Sequence, residues 1–137
     1  MPNERDLKLD EYAISKYAYR ELKYFCLQYP EKKRRIADLH NPLRAMNYDG
    51  MPHGTSPGEP TARAAELAAV LSHDCEMIKQ AAIETDPSLY QWIILSVTEG
   101  VPYHFLKTLK DIPCGYNYFY QKVHKFFFLL SKKRNLI

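Results

Sequence analysis

The chain has 137 residues, 46% of them hydrophobic and 26% charged, which is ordinary globular composition and enough sequence to bury a core without disulfide or metal staples. No uninterrupted apolar run approaches the roughly 18 residues of a membrane-spanning helix, and mean hydropathy is −0.44, so a membrane partner is not expected. The net charge of +3 is uneven, with +1 on residues 1–60, −4 on residues 61–99 and +6 on residues 100–137, which predicts a polyanion footprint at the C-terminal end.

The first six residues, Met1-Pro2-Asn3-Glu4-Arg5-Asp6, carry both signs of charge and lead into no apolar core, so no secretory signal is expected. Residues 11 to about 29 read as a helix, because Ile14, Ala18, Leu22, Phe25 and Tyr29 recur at four- and three-residue steps and form one apolar stripe. Pro30 suits the first turn of a second helix over 31 to about 39, where a missing amide leaves no acceptor unpaired. The run Lys32-Lys33-Arg34-Arg35 on that helix reads as a solvated face sooner than as a phosphate contact.

Residues 41–59 differ in kind. Pro42, Pro52 and Pro57 interleave with Gly50, Gly54 and Gly58 without any period, the pattern of a linker or long loop. The predicted organisation is therefore an N-terminal helical region over 1–40, a linker over 41–60 and a third region over 61–137. That third region opens with an Ala-rich helix from 61 to about 85, whose seam is Leu67, Leu71, Cys75, Ile78 and Ala82. A narrow seam with small residues favours close helix packing, in one chain or across a homodimer.

Asp86-Pro87 reads as a helix start, with Asp as N-cap and Pro at the first helical position. The helix carries Leu89, Trp92, Ile93 and Val97, and Gly100 suits its left-handed C-terminal cap. A short helix follows over 103 to about 109, apolar at Leu106 and Leu109. It is broken by Asp111-Ile112-Pro113-Cys114-Gly115, and a last helix runs from 116 to about 133. No strand pattern and no internal repeat is evident, so the expected fold class is all-α, with N-terminal helices, a long middle helix and a C-terminal helix-turn-helix.

Placing the last helix at 100° steps with Phe119 at zero puts Tyr116, Val123, Phe126, Phe127 and Leu130 within about 80°, and Tyr120 at about 100°. This is the expected core face. Asn117, Tyr118, Gln121, His124, Lys125 and Lys132 fall opposite, with no acid among them. Asn or Gln can pair with adenine and Lys with guanine in a major groove, while Tyr and backbone amides take phosphates. Asn117, Tyr118, Gln121, Lys122 and Lys125 are accordingly the candidate groove residues, and Lys107, Lys110 and Lys132 the candidate phosphate contacts. Phe128 and Leu129 lie off the core face, so the helix end is expected either to pack on the N-terminal helices or to meet another chain.

These residues also carry a resemblance. Glu99-Gly100-Val101-Pro102-Tyr103-His104-Phe105-Leu106 and Ile112-Pro113-Cys114-Gly115-Tyr116-Asn117-Tyr118-Phe119-Tyr120 resemble the opening and the turn of the sigma-70 region 4-like helix-turn-helix in phage late transcriptional regulators of the RinA/ArpU type. Upstream, Tyr29-Pro30-Glu31-Lys32-Lys33 and Ser56-Pro57-Gly58-Glu59-Pro60-Thr61 resemble the stretches before that family's long middle helix. Where the family often has Arg around its Phe-Tyr pair, this chain has Tyr116 and Gln121, and the triple Phe is not part of the module. The resemblance implies a sequence-specific DNA-binding regulator of phage or prophage genes, acting without catalysis or cofactor in the cytoplasm of a bacterial host. Double-stranded DNA is then the implied partner, with RNA polymerase as a further one.

Other readings start from the same residues. A small terminase-like DNA-packaging subunit or other phage assembly protein would share a helix-turn-helix and a long oligomerising helix. An adaptor binding RNA polymerase through the same fold is a third possibility, with no DNA role. Catalytic groups are sparse. In His73-Asp74-Cys75 adjacent helical residues point about 100° apart and do not converge, and Cys75 lies in the apolar seam. His40, His53, His104 and His124 lack partners at zinc-site spacing, no Gly-rich phosphate loop is present, and an enzyme is not expected. Three well-separated cysteines, Cys26, Cys75 and Cys114, suit a reducing compartment.

Overall fold

The structure, a computed structural model, describes residues 13–41 and 58–135. Among these residues all regular structure is helical, in six helices: α1 (Lys16–Leu27), α2 (Tyr29–Leu39), α3 (Gly58–Thr85), α4 (Tyr90–Glu99), α5 (Tyr103–Leu109) and α6 (Tyr116–Lys133). No described helix is long and apolar enough to cross a membrane. Most of the stretch read as linker lies outside the described residues. Its last three residues do not, and they are helical: α3 begins at Gly58 rather than at 61, with Pro60 in the first turn, where its missing amide leaves no hydrogen bond unmade.

The described chain divides into two compact units. The larger comprises the residues through Gln28 together with those from Met77 onward, and the smaller comprises Tyr29–Glu76. In the larger unit, α1 starts at Lys16 and not at 11. Ala13 to Ser15 precede it without helical structure, and the Ser15 hydroxyl accepts a hydrogen bond from the Ala18 amide at 3.2 Å, which caps the first turn. The helix ends two residues earlier than expected, at Leu27, and Tyr29 opens α2. Its buried stripe is Tyr19, Leu22, Phe25 and Cys26, again at steps of three and four. Tyr19 thus takes the inward position assigned to Ala18, which is half-buried.

Helices α1, α4 and α6 pack mutually. Their core consists of Leu22, Phe25 and Cys26 from α1, Ile93 and Val97 from α4, and Phe119, Val123, Phe126, Phe127 and Leu130 from α6, extended by Ile78, Ala81 and Ala82 of α3. The Tyr19 and Phe127 rings meet edge to face at 5.2 Å, a favoured aromatic geometry. The α6 end therefore packs on α1, the first of the two arrangements expected for the triple Phe. Phe128 and Leu129 are half-buried, and the Lys132 ammonium lies 4.9 Å from the Phe128 ring.

Local signals decide the junctions. Asp86 does not cap α4 directly, as Asp86-Pro87 had suggested. It closes a separate turn, accepting on Oδ1 from the Ser88 amide at 2.9 Å and from the Ser88 hydroxyl at 2.6 Å, and α4 proper begins at Tyr90. Gly100 ends α4 with φ +66°, its amide donating to the Ser96 carbonyl at 3.1 Å. Beyond α5, Asp111 takes φ +51°, and the Ile112 amide reaches back to the Leu106 carbonyl at 3.2 Å. This bond spans one residue more than the six-to-one bond of a Schellman stop, and Leu106 and Ile112 stand at its two ends. Both are buried.

Ser131 is fully buried and its hydroxyl has no hydrogen-bond partner among the described residues. A buried hydroxyl without a partner opposes folding. Ser131→Ala is expected to raise unfolding free energy by about 1 kcal/mol, measured as a higher denaturant midpoint at constant slope.

In the smaller unit, α2 spans Tyr29–Leu39 and carries the basic run. Lys33, Arg34 and Arg35 are exposed. Lys32 pairs with Asp74 of α3 at 3.0 Å, both side chains largely shielded. The solvated reading of that run thus describes three of its four members.

Candidate nucleic-acid interface

Helices α5 and α6 are joined by a six-residue turn, residues 110–115, and side chains distant in sequence fix its shape. The Trp92 indole donates to the Lys110 carbonyl at 2.9 Å. The Tyr103 hydroxyl donates to the Cys114 carbonyl at 2.6 Å, and the Tyr103 ring stands edge-on to Tyr116 at 5.6 Å. Two carbonyls of the turn are therefore held by aromatic donors, one from α4 and one from α5. Cys114 is half-buried, and burial pushes its thiol pKa up, as does the neighbouring Asp86 charge. Burial also raises the Tyr120 hydroxyl pKa, against the Tyr103 amide, which lowers it.

On α6 the expected inward face is buried at Phe119, Val123, Phe126, Phe127 and Leu130. Two assignments need correction. Tyr116, placed on that face, is 45% exposed; it is the first residue of the helix, and its ring meets those of Tyr103 and Tyr120. His124, placed on the polar face, is 5% exposed. With two helices against α6, the buried arc widens past Phe127 to include it. A third correction concerns α5, where Leu106 is buried but Leu109, also assigned inward, is 68% exposed. Leu109 lines an open apolar groove of about 370 Å³ together with Val101, Pro102 and Phe105.

Of the candidate groove residues, Asn117, Tyr118 and Gln121 are exposed, and Lys122 and Lys125 are half-buried. The candidate phosphate contacts Lys107, Lys110 and Lys132 are all exposed. Asn117 and Gln121 lie one turn apart, with Tyr118 beside them. The first turn of α6 contains no acid, and Gly115 caps it without any side chain. Its leading amides have no intrahelical acceptor, so this end carries the positive pole of the helix.

The C-terminal excess of cations is smaller at the surface than in the sequence. Lys133 pairs with Glu84 at 2.7 Å. Arg134 pairs with Glu21 at 2.9 Å and lays its guanidinium 3.9 Å from the Phe25 ring, tying the end of α6 to α1. Lys122 stands 3.8 Å from Asp86. Glu21 and Glu84 were not singled out in the sequence, Asp86 was read there only as a helix cap, and none of the three pairings could have been foreseen. The separations of these acids from the cations range from tens of residues to more than a hundred, beyond any local spacing rule.

Elsewhere the chemistry is sparse. Burial pushes the Cys75 thiol pKa up, opposed by Lys33 and Lys32, and a raised pKa disfavours the thiolate that nucleophilic work requires. Among the described residues no group of three or more His, Cys, Asp or Glu side chains could share a metal ion. No protein-family model matches this chain, and no curated protein or solved structure matches it.

Proposed function

We propose that this chain is a sequence-specific DNA-binding regulator in which α5, the 110–115 turn and α6 act as a helix-turn-helix, with α6 in the major groove. The observation that carries the reading is the α6 surface. Asn117, Tyr118 and Gln121 are exposed on the leading turns of a helix whose other side is buried, with no acid in its first turn. Asn and Gln amides can each pair with an adenine edge, and Lys with guanine. Lys107, Lys110 and Lys132 supply phosphate contacts that orient the duplex without reading it. The resemblance to phage late regulators of the RinA/ArpU type, with a sigma-70 region 4-like module, supports the same reading and adds a phage or prophage setting. It also adds RNA polymerase as a further partner.

Selection of bound sequences from random duplexes tests the reading. Enrichment of one motif is the expected result, and no enrichment would overturn it. Lys125→Ala is expected to weaken binding and to flatten the slope of log affinity against log salt by about 0.9, the release of one counterion. Fluorescence anisotropy across a salt series measures this, and an unchanged slope would remove Lys125 from the interface.

A second reading, a small terminase-like packaging subunit or other phage assembly protein, is favoured by α3. This helix is 28 residues long and exposes Ala62, Ala65, Ala69 and Ser72 along one side, with Val70 beside them. Sedimentation separates the two. A ring of subunits supports assembly, whereas a monomer or dimer that protects one promoter sequence supports regulation.

A further inference from the structure

Among the described residues, Lys122 is the candidate groove residue that an acid from another part of the fold holds. Its ammonium lies 3.8 Å from Asp86 Oδ2, with both side chains mostly shielded, and 5.1 Å from the Tyr118 ring centroid. Asp86 is itself immobilised, because its other oxygen accepts from the Ser88 amide and hydroxyl. A carboxylate fixed by the turn before α4 thus holds a lysine of α6 against the aromatic face of a neighbouring groove residue.

We infer that Asp86 is a positioning residue that keeps Lys122 from acting as a phosphate clamp and presents Lys122 and Tyr118 together as one preformed reading element. This inference rests on the DNA reading above. Lysine on a flexible stem otherwise reaches for the nearest phosphate as a point charge, which raises affinity for every duplex alike. The Asp86 carboxylate neutralises that charge locally and repels phosphates that approach it, a penalty falling on non-specific complexes. The carboxylate and the ring together restrict the lysine before DNA arrives, so less freedom is lost on binding.

The experiment compares wild type, Asp86→Asn, Lys122→Gln and the double variant, each on a duplex enriched by selection and on a scrambled duplex of the same length, across a salt series. Asn keeps a side-chain oxygen for Ser88, so the turn is retained while the charge is lost. Asp86→Asn is expected to bind the scrambled duplex more tightly, to lose discrimination, and to steepen the salt slope by about 0.9 as Lys122 gains a phosphate. In the Lys122→Gln background the same change is expected to leave the slope where Lys122→Gln alone puts it. A merely structural role for Asp86 lowers affinity for both duplexes without steepening either slope, and that result would overturn the inference. A steeper slope that persists without Lys122 would overturn it too, since the effect would then be one of overall charge. Failure of wild type to bind any duplex defeats the DNA reading itself, whereas binding with unchanged Asp86→Asn slopes defeats the tether alone.

Discussion

Phe119→Ala is expected to lower the unfolding free energy by about 3–5 kcal/mol, the cost of removing a large buried ring and leaving a cavity. Phe119 is fully buried on α6, and its ring lies 6.0 Å from Tyr103 and 5.3 Å from Tyr120. Tyr103 in turn holds the Cys114 carbonyl of the turn. The cavity would therefore open beneath the contact that sets α5 against α6, and neighbouring rings anchored by their own hydrogen bonds can refill it only in part. A loss of that size is a large fraction of a small domain's stability. Chemical denaturation followed by far-ultraviolet circular dichroism measures it, and a midpoint equal to wild type would refute the buried placement of Phe119.

The second large effect belongs to the interface. On the DNA reading, replacing Asn117 and Gln121 together by Ala is expected to collapse discrimination while leaving the fold intact. A good bidentate amide–base pair contributes about 1–3 kcal/mol of discrimination, so two of them correspond to about 2–6 kcal/mol in the ratio of selected to scrambled duplex. Both side chains are exposed, and Ala is the better helix former at either position, so the melting temperature should hold or rise slightly. Competition binding with both duplexes gives the ratio. A double variant that discriminates as wild type does would remove the α6 leading turns from base reading. A large loss for both duplexes with the ratio preserved would assign the two amides to the backbone.

The difference between these two predictions mirrors the difference between what spacing encodes and what it does not. Apolar residues at three- and four-residue steps made α1, α3 and α6 visible as helices, and the inward positions Phe119, Val123, Phe126, Phe127 and Leu130 follow from the 100° step alone. Gly100 announced the end of α4, because a backbone turned to φ +66° is tolerated by glycine at little steric cost. Asp111 sent no such signal. It adopts φ +51° because its neighbours Leu106 and Ile112 are buried on either side of the stop, a condition set by packing.

The misplaced residues of α6 show what the 100° step leaves open. A helical wheel locates the centre of a buried face and says nothing of its width, which depends on how many elements pack against it. Two helices lie on α6, so the buried arc extends to His124 and Ser131. At its first residue the arc is open, and Tyr116 is 45% exposed. The same holds for charge. Seven cations after residue 100 are a property of the chain, but Glu21, Glu84 and Asp86 meet Arg134, Lys133 and Lys122 only once the helices are folded together. Helix type, the polar character of the α6 leading turns and the basic bias of the C-terminal end are local and were written in residue order. Which cations remain for a partner is a long-range outcome, because opposite charges pair by distance in space and not by position along the chain.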